Sequence, residues 1–328
     1  MSEQSSLTII VPLHNEEDSL GELNRRLAAV LDKLDLRWEL ILVDDGSTDR
    51  TQEIARELSS VDERVRMIAL SRNFGHQAAI TAGLDFADGD GVVIMDGDLQ
   101  HPPELIPDLV AHWRDGYDVV YAVREDRHGE PWTKRVTARV FYRLLGALSS
   151  TKIPAYVGDF RLVDRRALQT FRSMREQNRY LRGMFSWIGF RQIGVPCPPV
   201  ERYGGTSKYT LGKMLSLAID GLVSFSNVPL RLALHAGFIL STVSFAGGIV
   251  AGALKFAGVY AVPGWASIVV VVSFLGGAQL LILGVIGTYI GRIYDEVKGR
   301  PLYVIGDAQG FDRDLDELRA DSRAMGVE

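Results

Sequence analysis

Cysteine is almost absent: Cys197 is the only one in 328 residues, so no disulfide can close within the chain, which fits a reducing compartment. The opening MSEQSSL has no basic stretch and no apolar run, which predicts no signal peptide and a cytoplasmic place for the first 230 residues. No G-x-G-x-x-G follows the first strand-like run, and Gly89-Asp90-Gly91 precedes a strand and not a helix, which argues against a dinucleotide-binding sheet. Gly212-Lys213 lacks the upstream glycine and the Ser or Thr of a P-loop. A net charge of −5 argues against a general nucleic-acid binder. Two stretches lack charge altogether, since residues 232–254 and 256–291 contain no Asp, Glu, Lys or Arg.

Each uncharged stretch exceeds the roughly 20 apolar residues that cross a bilayer. Lys255, Pro263 and Gly264 mark a break, so the pattern predicts a transmembrane hairpin over 232–254 and 265–290. Arg231, Arg292, Lys298 and Arg300 flank it, whereas the short loop holds only Lys255, which places the flanks on the cytoplasmic side. Gly248-x-x-x-Gly252 and Gly287-x-x-x-Gly291 offer small faces for close helix contact, compatible with a homo-oligomer.

The first 125 residues alternate strand and helix patterns. Short apolar runs at 7–11, 38–43, 65–70, 92–95 and 119–123 read as strands. Leu20, Leu23, Leu27, Val30, Leu31 and Leu34 follow helical spacing, and 50–58, 77–86 and 103–114 are further helix candidates. Such alternation implies an α/β fold with a parallel, doubly wound sheet. Three strands end in polar signals: His14-Asn15-Glu16, Asp44-Asp45-Gly46-Ser47 and Asp96-Gly97-Asp98. Parallel strands point one way, so these ends gather on one rim, where open α/β sheets bind ligands.

The run VVIMDGDLQHPP carries the most chemistry. Two carboxylates, Asp96 and Asp98, close a buried strand, and Gly97 lets the backbone turn close to a ligand. Hard oxygen ligands there suit Mg²⁺ or Mn²⁺ shared with substrate phosphates. A lone Asp-Gly-Asp is equally the composition of a solvated turn, and the converging strand ends favour a site. Within 124–205, Arg135, Arg139 and Arg143 recur every fourth residue and would share a helix face, either solvated or anion-binding. Between Ser207 and Phe225, apolar residues at helical spacing fit an interfacial helix or one packed on the sheet.

Taken together, IIVPLHNEE, LVDDGSTD, SRNFGHQAAI, DGDLQHPPE, GDFRLVDR, GGTSKY and IGRIYDEVKGRPLY resemble glycosyltransferase family 2. More narrowly, they resemble its membrane-bound polyprenyl-phosphate glycosyltransferases, relatives of the dolichyl-phosphate mannose and glucose synthases and of bactoprenol glucosyltransferases. The resemblance spans roughly residues 6 to 303. DGDLQHPP and RIYDEVKGRPLY are its specific parts; VDDGS marks only the wider family.

The resemblance implies a GT-A type nucleotide-sugar domain over 1–205, juxtamembrane helices over 206–230, two transmembrane helices over 231–292 and a cytoplasmic tail over 293–328. Pro12, Asn15 and Glu16 would line the nucleotide pocket, with Asp45 reading base or ribose. Asp96, Asp98 and Gln100 would hold the divalent cation, beside Gly97, where many relatives have alanine. Arg202 and Lys208 would contact the diphosphate. Arg124 and Arg135, with Arg139 on the same stripe, would receive the lipid phosphate, and Asp159 and Arg161 would face sugar and acceptor. Catalysis would rest on Asp98, Asp159 and Arg124. The implied reaction moves one sugar, glucose from UDP-glucose, to polyprenyl phosphate at the inner membrane with inversion; GDP-mannose and UDP-amino-arabinose are alternative donors. A processive polysaccharide synthase would carry Q-x-x-R-W, which Gln177-Asn178-Arg179-Tyr180 does not match. A nucleotide-binding membrane protein without catalysis would not need the acceptor arginines. A flippase subunit would need ionisable groups in the hairpin, where His235 is nearly alone.

Overall fold

The computed structural model describes residues 5–124, 157–198, 228–257, 264–312 and 315–324. In chain order the elements are β1 (Ser6–Leu13), α1 (Leu20–Leu31), β2 (Arg37–Asp44), α2 (Thr51–Val61), β3 (Val65–Leu70), α3 (His76–Asp85) and β4 (Gly91–Ile94). After a 3-10 turn at Pro103–Leu105 follow α4 (Ile106–Arg114), β5 (Val119–Arg124), β6 (Val157–Asp164), α5 (Arg165–Arg172), α6 (Leu181–Trp187) and β7 (Gln192–Cys197). The chain continues as α7 (Val228–Phe256), α8 (Trp265–Val297), β8 (Ile305–Gln309) and α9 (Leu315–Ala324).

The strands form one sheet in the order β7-β5-β6-β4-β1-β2-β3-β8. All run the same way except β6, antiparallel between β4 and β5, and β8, antiparallel to β3 at the edge. The fold is thus the expected α/β type with a mostly parallel sheet. It differs from a purely parallel one because β6 runs against its two neighbours and separates β5 from β4.

Alternate residues of each strand serve opposite faces, as a period of two requires. Leu7, Ile9, Val11, Leu40, Leu42 and Val93 pack with Leu20, Leu23, Leu27 and Leu31 of α1 and with α4. Ile10, Ile41, Val43, Ile68, Val92 and Ile94 pack on the other face with Ala79, Ile80 and Leu84 of α3 and with α5 and α6. Each fully buried Leu or Ile contributes about 1.5–3 kcal/mol.

The two long helices are 29 and 33 residues, longer than the expected spans, and contain apolar windows Leu232–Val250 and Val270–Val297 with no buried share. At 1.5 Å per residue both exceed the ~30 Å hydrocarbon core. They are long and apolar enough to cross a membrane. Gly237 faces Ile282 across the hairpin, whereas Gly248, Gly287 and Gly291 meet no atom within 4 Å beyond their own helix. The segment after the hairpin does not trail away as a separate tail. It supplies β8, and Tyr303, Ile305 and Leu318 are buried in the core on the α3 face.

Candidate active site

The four parallel strands β1 to β4 deliver their carboxyl ends to one rim, as their order demands. At β1, His14, Asn15 and Glu16 turn away under backbone constraint, with Asn15 at φ 57°. The Asn15 carboxamide accepts the Thr48 N–H at 2.8 Å, and its own N–H donates to Ser47 Oγ at 3.0 Å. Asn15 therefore laces the first loop to the second, and it does not line the cleft; Glu16 does, while its N–H donates to Thr51 Oγ1.

At β2, Asp45 accepts the N–H groups of Phe74 and Gly75 at 2.7 and 2.9 Å. Burial pushes the carboxyls of Asp44 and Asp45 above the usual range, and these backbone donors oppose the shift at Asp45. Gly46 has φ +64°, and a Cβ there would stand 2.5 Å from the Asn73 nitrogen, so only glycine lets the second and third rim loops touch.

At β4 the backbone N–H of Asp96 donates to His101 Nδ1 at 3.0 Å, so that nitrogen carries no proton. His101 is buried and stacks on Phe160 with ring centroids 5.1 Å apart. Asp98 Oδ1 accepts the Gln100 N–H at 3.0 Å, and the intervening Leu99 takes φ 60°. Left-handed backbone at a buried leucine is costly, on the order of 1–2 kcal/mol, and marks a turn held by its surroundings.

The antiparallel strand β6 adds a third carboxylate. The ladder ends where Ile94 pairs with Arg161, and beyond it Asp159 and Asp96 both come within 3.5 Å of His76. Asp159 is 6% exposed and is gripped by Arg182, Nε to Oδ1 at 3.0 Å and Nη2 to Oδ2 at 3.2 Å. His76 Nε2 lies 3.4 Å from Asp159 Oδ2 and 3.5 Å from Asp96 Oδ1, bridging the two acids. Burial alone would raise the Asp159 pKa, but Arg182, His76 and Arg161 together hold it well below the carboxylate range. Burial likewise works against charge on His76, and the two carboxylates outweigh it and raise its pKa. Burial lowers Arg161 to about 10, against the pull of Asp159.

These groups line one cleft of about 780 Å³. Of the sequence-predicted residues it gathers Pro12, Glu16, Asp45, Asp96, Gly97, Asp98, Gln100 and Asp159. Arg161 backs Asp159 from the interior. The Arg124 backbone closes β5 opposite Cys197. Arg135, Arg139, Arg202, Lys208 and the 207–225 helix lie outside the described residues. His76, His101 and Arg182 were not anticipated. His76 had a signal, since β3 is a fourth parallel strand whose end must reach the same rim. Arg182 had none, because its place depends on how α6 packs.

Among the described residues no three His, Cys, Asp or Glu groups converge as a self-sufficient metal site. Two carboxylates and an amide nonetheless fit a hard cation that completes its shell with substrate phosphate. Asp96 Oδ1 is buried and accepts no hydrogen bond among the described residues, with His76 Nε2 3.5 Å away, so this oxygen has a coordination position that no hydrogen bond uses.

Residues 8–172 match the family model described as Glycosyl transferase family 2. The chain belongs to glycosyl transferase family 2. Within that family it is 46% identical to the Bacillus subtilis glycosyltransferase YkcC over 95% of this chain and 97% of the relative. It is 38% identical to the SfII prophage-derived bactoprenol glucosyl transferase of Shigella flexneri, over 91% of this chain and 97% of that one. Among solved structures, mannosyl-3-phosphoglycerate synthase from Rubrobacter xylanophilus aligns with a TM-score of 0.51 at 16% identity, covering 71% of this chain and 75% of that one. That likeness shows the fold.

Proposed function

We propose that this family-2 enzyme transfers one glucose, with inversion, from UDP-glucose to a polyprenyl phosphate at the cytoplasmic leaflet of the plasma membrane. The observation that carries the reading is the facing set Asp96, Asp98 and Asp159 at the sheet rim of a chain that also holds two membrane-length apolar helices. Near-full-length similarity to proteins named bactoprenol glucosyl transferase supports the acceptor and the sugar.

Asp96, Asp98 and Gln100 would hold Mg²⁺ or Mn²⁺ against the donor diphosphate. When bound, the cation supplies positive charge to the leaving group. Pro12, Glu16 and Asp45 would frame the nucleotide, with Asn15 fixing the loop that carries Glu16. Gly97 lets the turn approach the sugar, and Arg202 and Lys208 would close on the diphosphate. A phosphate monoester has a second pKa near ~6, so the acceptor arrives mostly as a dianion and needs little help from a base. Arg124, with Arg135 and Arg139, would offset its repulsion by the donor. Asp159, held ionised by Arg182 and His76, is a poor proton acceptor, and its role is to orient the sugar and acceptor. The hairpin keeps the cleft at the bilayer, because a long prenyl tail leaves lipid only at about 0.8 kcal/mol per CH₂.

The test is transfer in native membranes supplied with Mn²⁺ or Mg²⁺, polyprenyl phosphate and a panel of labelled nucleotide sugars. UDP-glucose is expected to give an acid-labile labelled lipid, which Asp98→Asn abolishes. A product only from GDP-mannose or UDP-amino-arabinose would replace the sugar; full activity of Asp98→Asn would remove the metal assignment.

A further inference from the structure

Residues 174–180 run as an irregular strap from α5 to α6, and α6 carries Arg182 into the cleft. The strap is held by the end of α8 and by the chain that follows it. Inside, the buried Asp85 carboxylate accepts from Arg175 Nη1 at 2.9 and 3.0 Å and from the Tyr303 hydroxyl at 2.8 Å. Burial and the Asp85 charge push the Tyr303 hydroxyl well above the usual phenol range, so it remains a donor. Outside, the Gln177 backbone N–H donates to Glu296 on the last turns of α8 at 2.8 Å, and its amide donates to the Arg300 carbonyl at 2.5 Å. At the far end the Leu181 N–H donates to Gln77 Oε1 at 3.0 Å, beside His76, and Arg182 takes both oxygens of Asp159.

Hydrogen bonds thus tie the strap to the end of α8 and to Asp85, and the strap's backbone leads on to Arg182 and its pair with Asp159. We propose that Tyr303 and Gln177 are positioning residues: they fix the strap that sets Arg182 against Asp159, so the seating of α8 governs the geometry of the cleft. The proposal rests on the glycosyl-transfer reading of that cleft. Tyr303, through Asp85 and Arg175, and Gln177 hold the strap at two points between its helical ends. Tyr303 is enclosed and Gln177 lies at the surface, so the two substitutions perturb the strap from opposite sides.

The test uses the full chain in lipid nanodiscs, as Tyr303→Phe and Gln177→Ala, each alone and combined with Arg182→Lys. Expected are a fall in kcat of about tenfold, since small misplacements at a reacting centre are that costly, with donor KM within twofold. Amide exchange across Leu181–Trp187 should quicken about tenfold, and on the Arg182→Lys background each substitution should cost less than twofold more, as coupled residues do. Wild-type kcat in both variants overturns the proposal, whatever the exchange rates, and so do losses that multiply with Arg182→Lys. If wild type makes no lipid-linked sugar, the acceptor reading fails by itself; unchanged exchange in both variants then still overturns the coupling.

Discussion

Asp159→Asn separates an orienting carboxylate from a proton acceptor. The substitution keeps the shape and removes the charge that Arg182, His76 and Arg161 surround. Removing one partner of a buried ion pair costs about 3–5 kcal/mol. Arg182 and His76 open partly to the cleft, with side chains 32% and 44% exposed, and only Arg161, at 3%, is left enclosed. The expected cost is therefore nearer 2–3 kcal/mol, or roughly 5–10 °C in Tm for a domain of this size. The pH dependence has a defined sign. A carboxyl held below its unfolded pKa of about 3.9 stabilises the fold fully above that value and loses the contribution as pH falls through the folded value. The Tm gap between wild type and Asp159→Asn should be widest near pH 5, narrow as pH rises past about 6.5 because His76, whose raised pKa rests partly on Asp159, loses its proton, and shrink also below about 4 as Asp159 itself is protonated. kcat should fall about 100-fold from misplacement, while the acid limb of its pH profile, set by the acceptor phosphate near ~6, stays in place. A limb in wild type that vanishes in Asp159→Asn would refute the orienting role and make Asp159 the base.

Arg124→Ala should lower kcat for lipid transfer by at least tenfold with donor affinity, measured by UDP-glucose titration, unchanged; weakened donor binding alone would count against the acceptor role. Gly46→Ala should destabilise by about 1–3 kcal/mol, because its Cβ meets the Asn73 backbone at 2.5 Å and its φ is +64°. A thermal melt within a degree of wild type would mean that the rim loops part easily.

The strands and helices of the first 125 residues were legible because their signals are local: apolar runs with period two, and leucines spaced for one helix face. The strands β6 and β8 were not. In β6, Asp159 and Arg161 interrupt the apolar run; Asp159 is buried against Arg182 and Arg161, and Arg161 against Asp159 and the Gly158 carbonyl. In β8, Ile305–Gln309 holds little apolar side chain, and its pairing depends on an exposed edge of β3 over 200 residues earlier. The site divides the same way. Strand ends that point one way had to converge, which brought Glu16, Asp45, Asp96 and Asp98 together. The facing of Asp159 and Asp96 required an antiparallel neighbour that alternation does not announce, and the grip of Arg182 required the strap.

The late position of β8 in the chain sets an order of assembly. A ribosome releases β1 to β7 first, then both greasy helices, and only afterwards the strand that covers β3. Until then β3 presents unpaired backbone groups, a template for sticking to other nascent chains. On our reading of the hairpin, insertion into the bilayer precedes closure of the sheet. Versions cut before α7 should therefore clump even though every residue of the carboxylate rim is present.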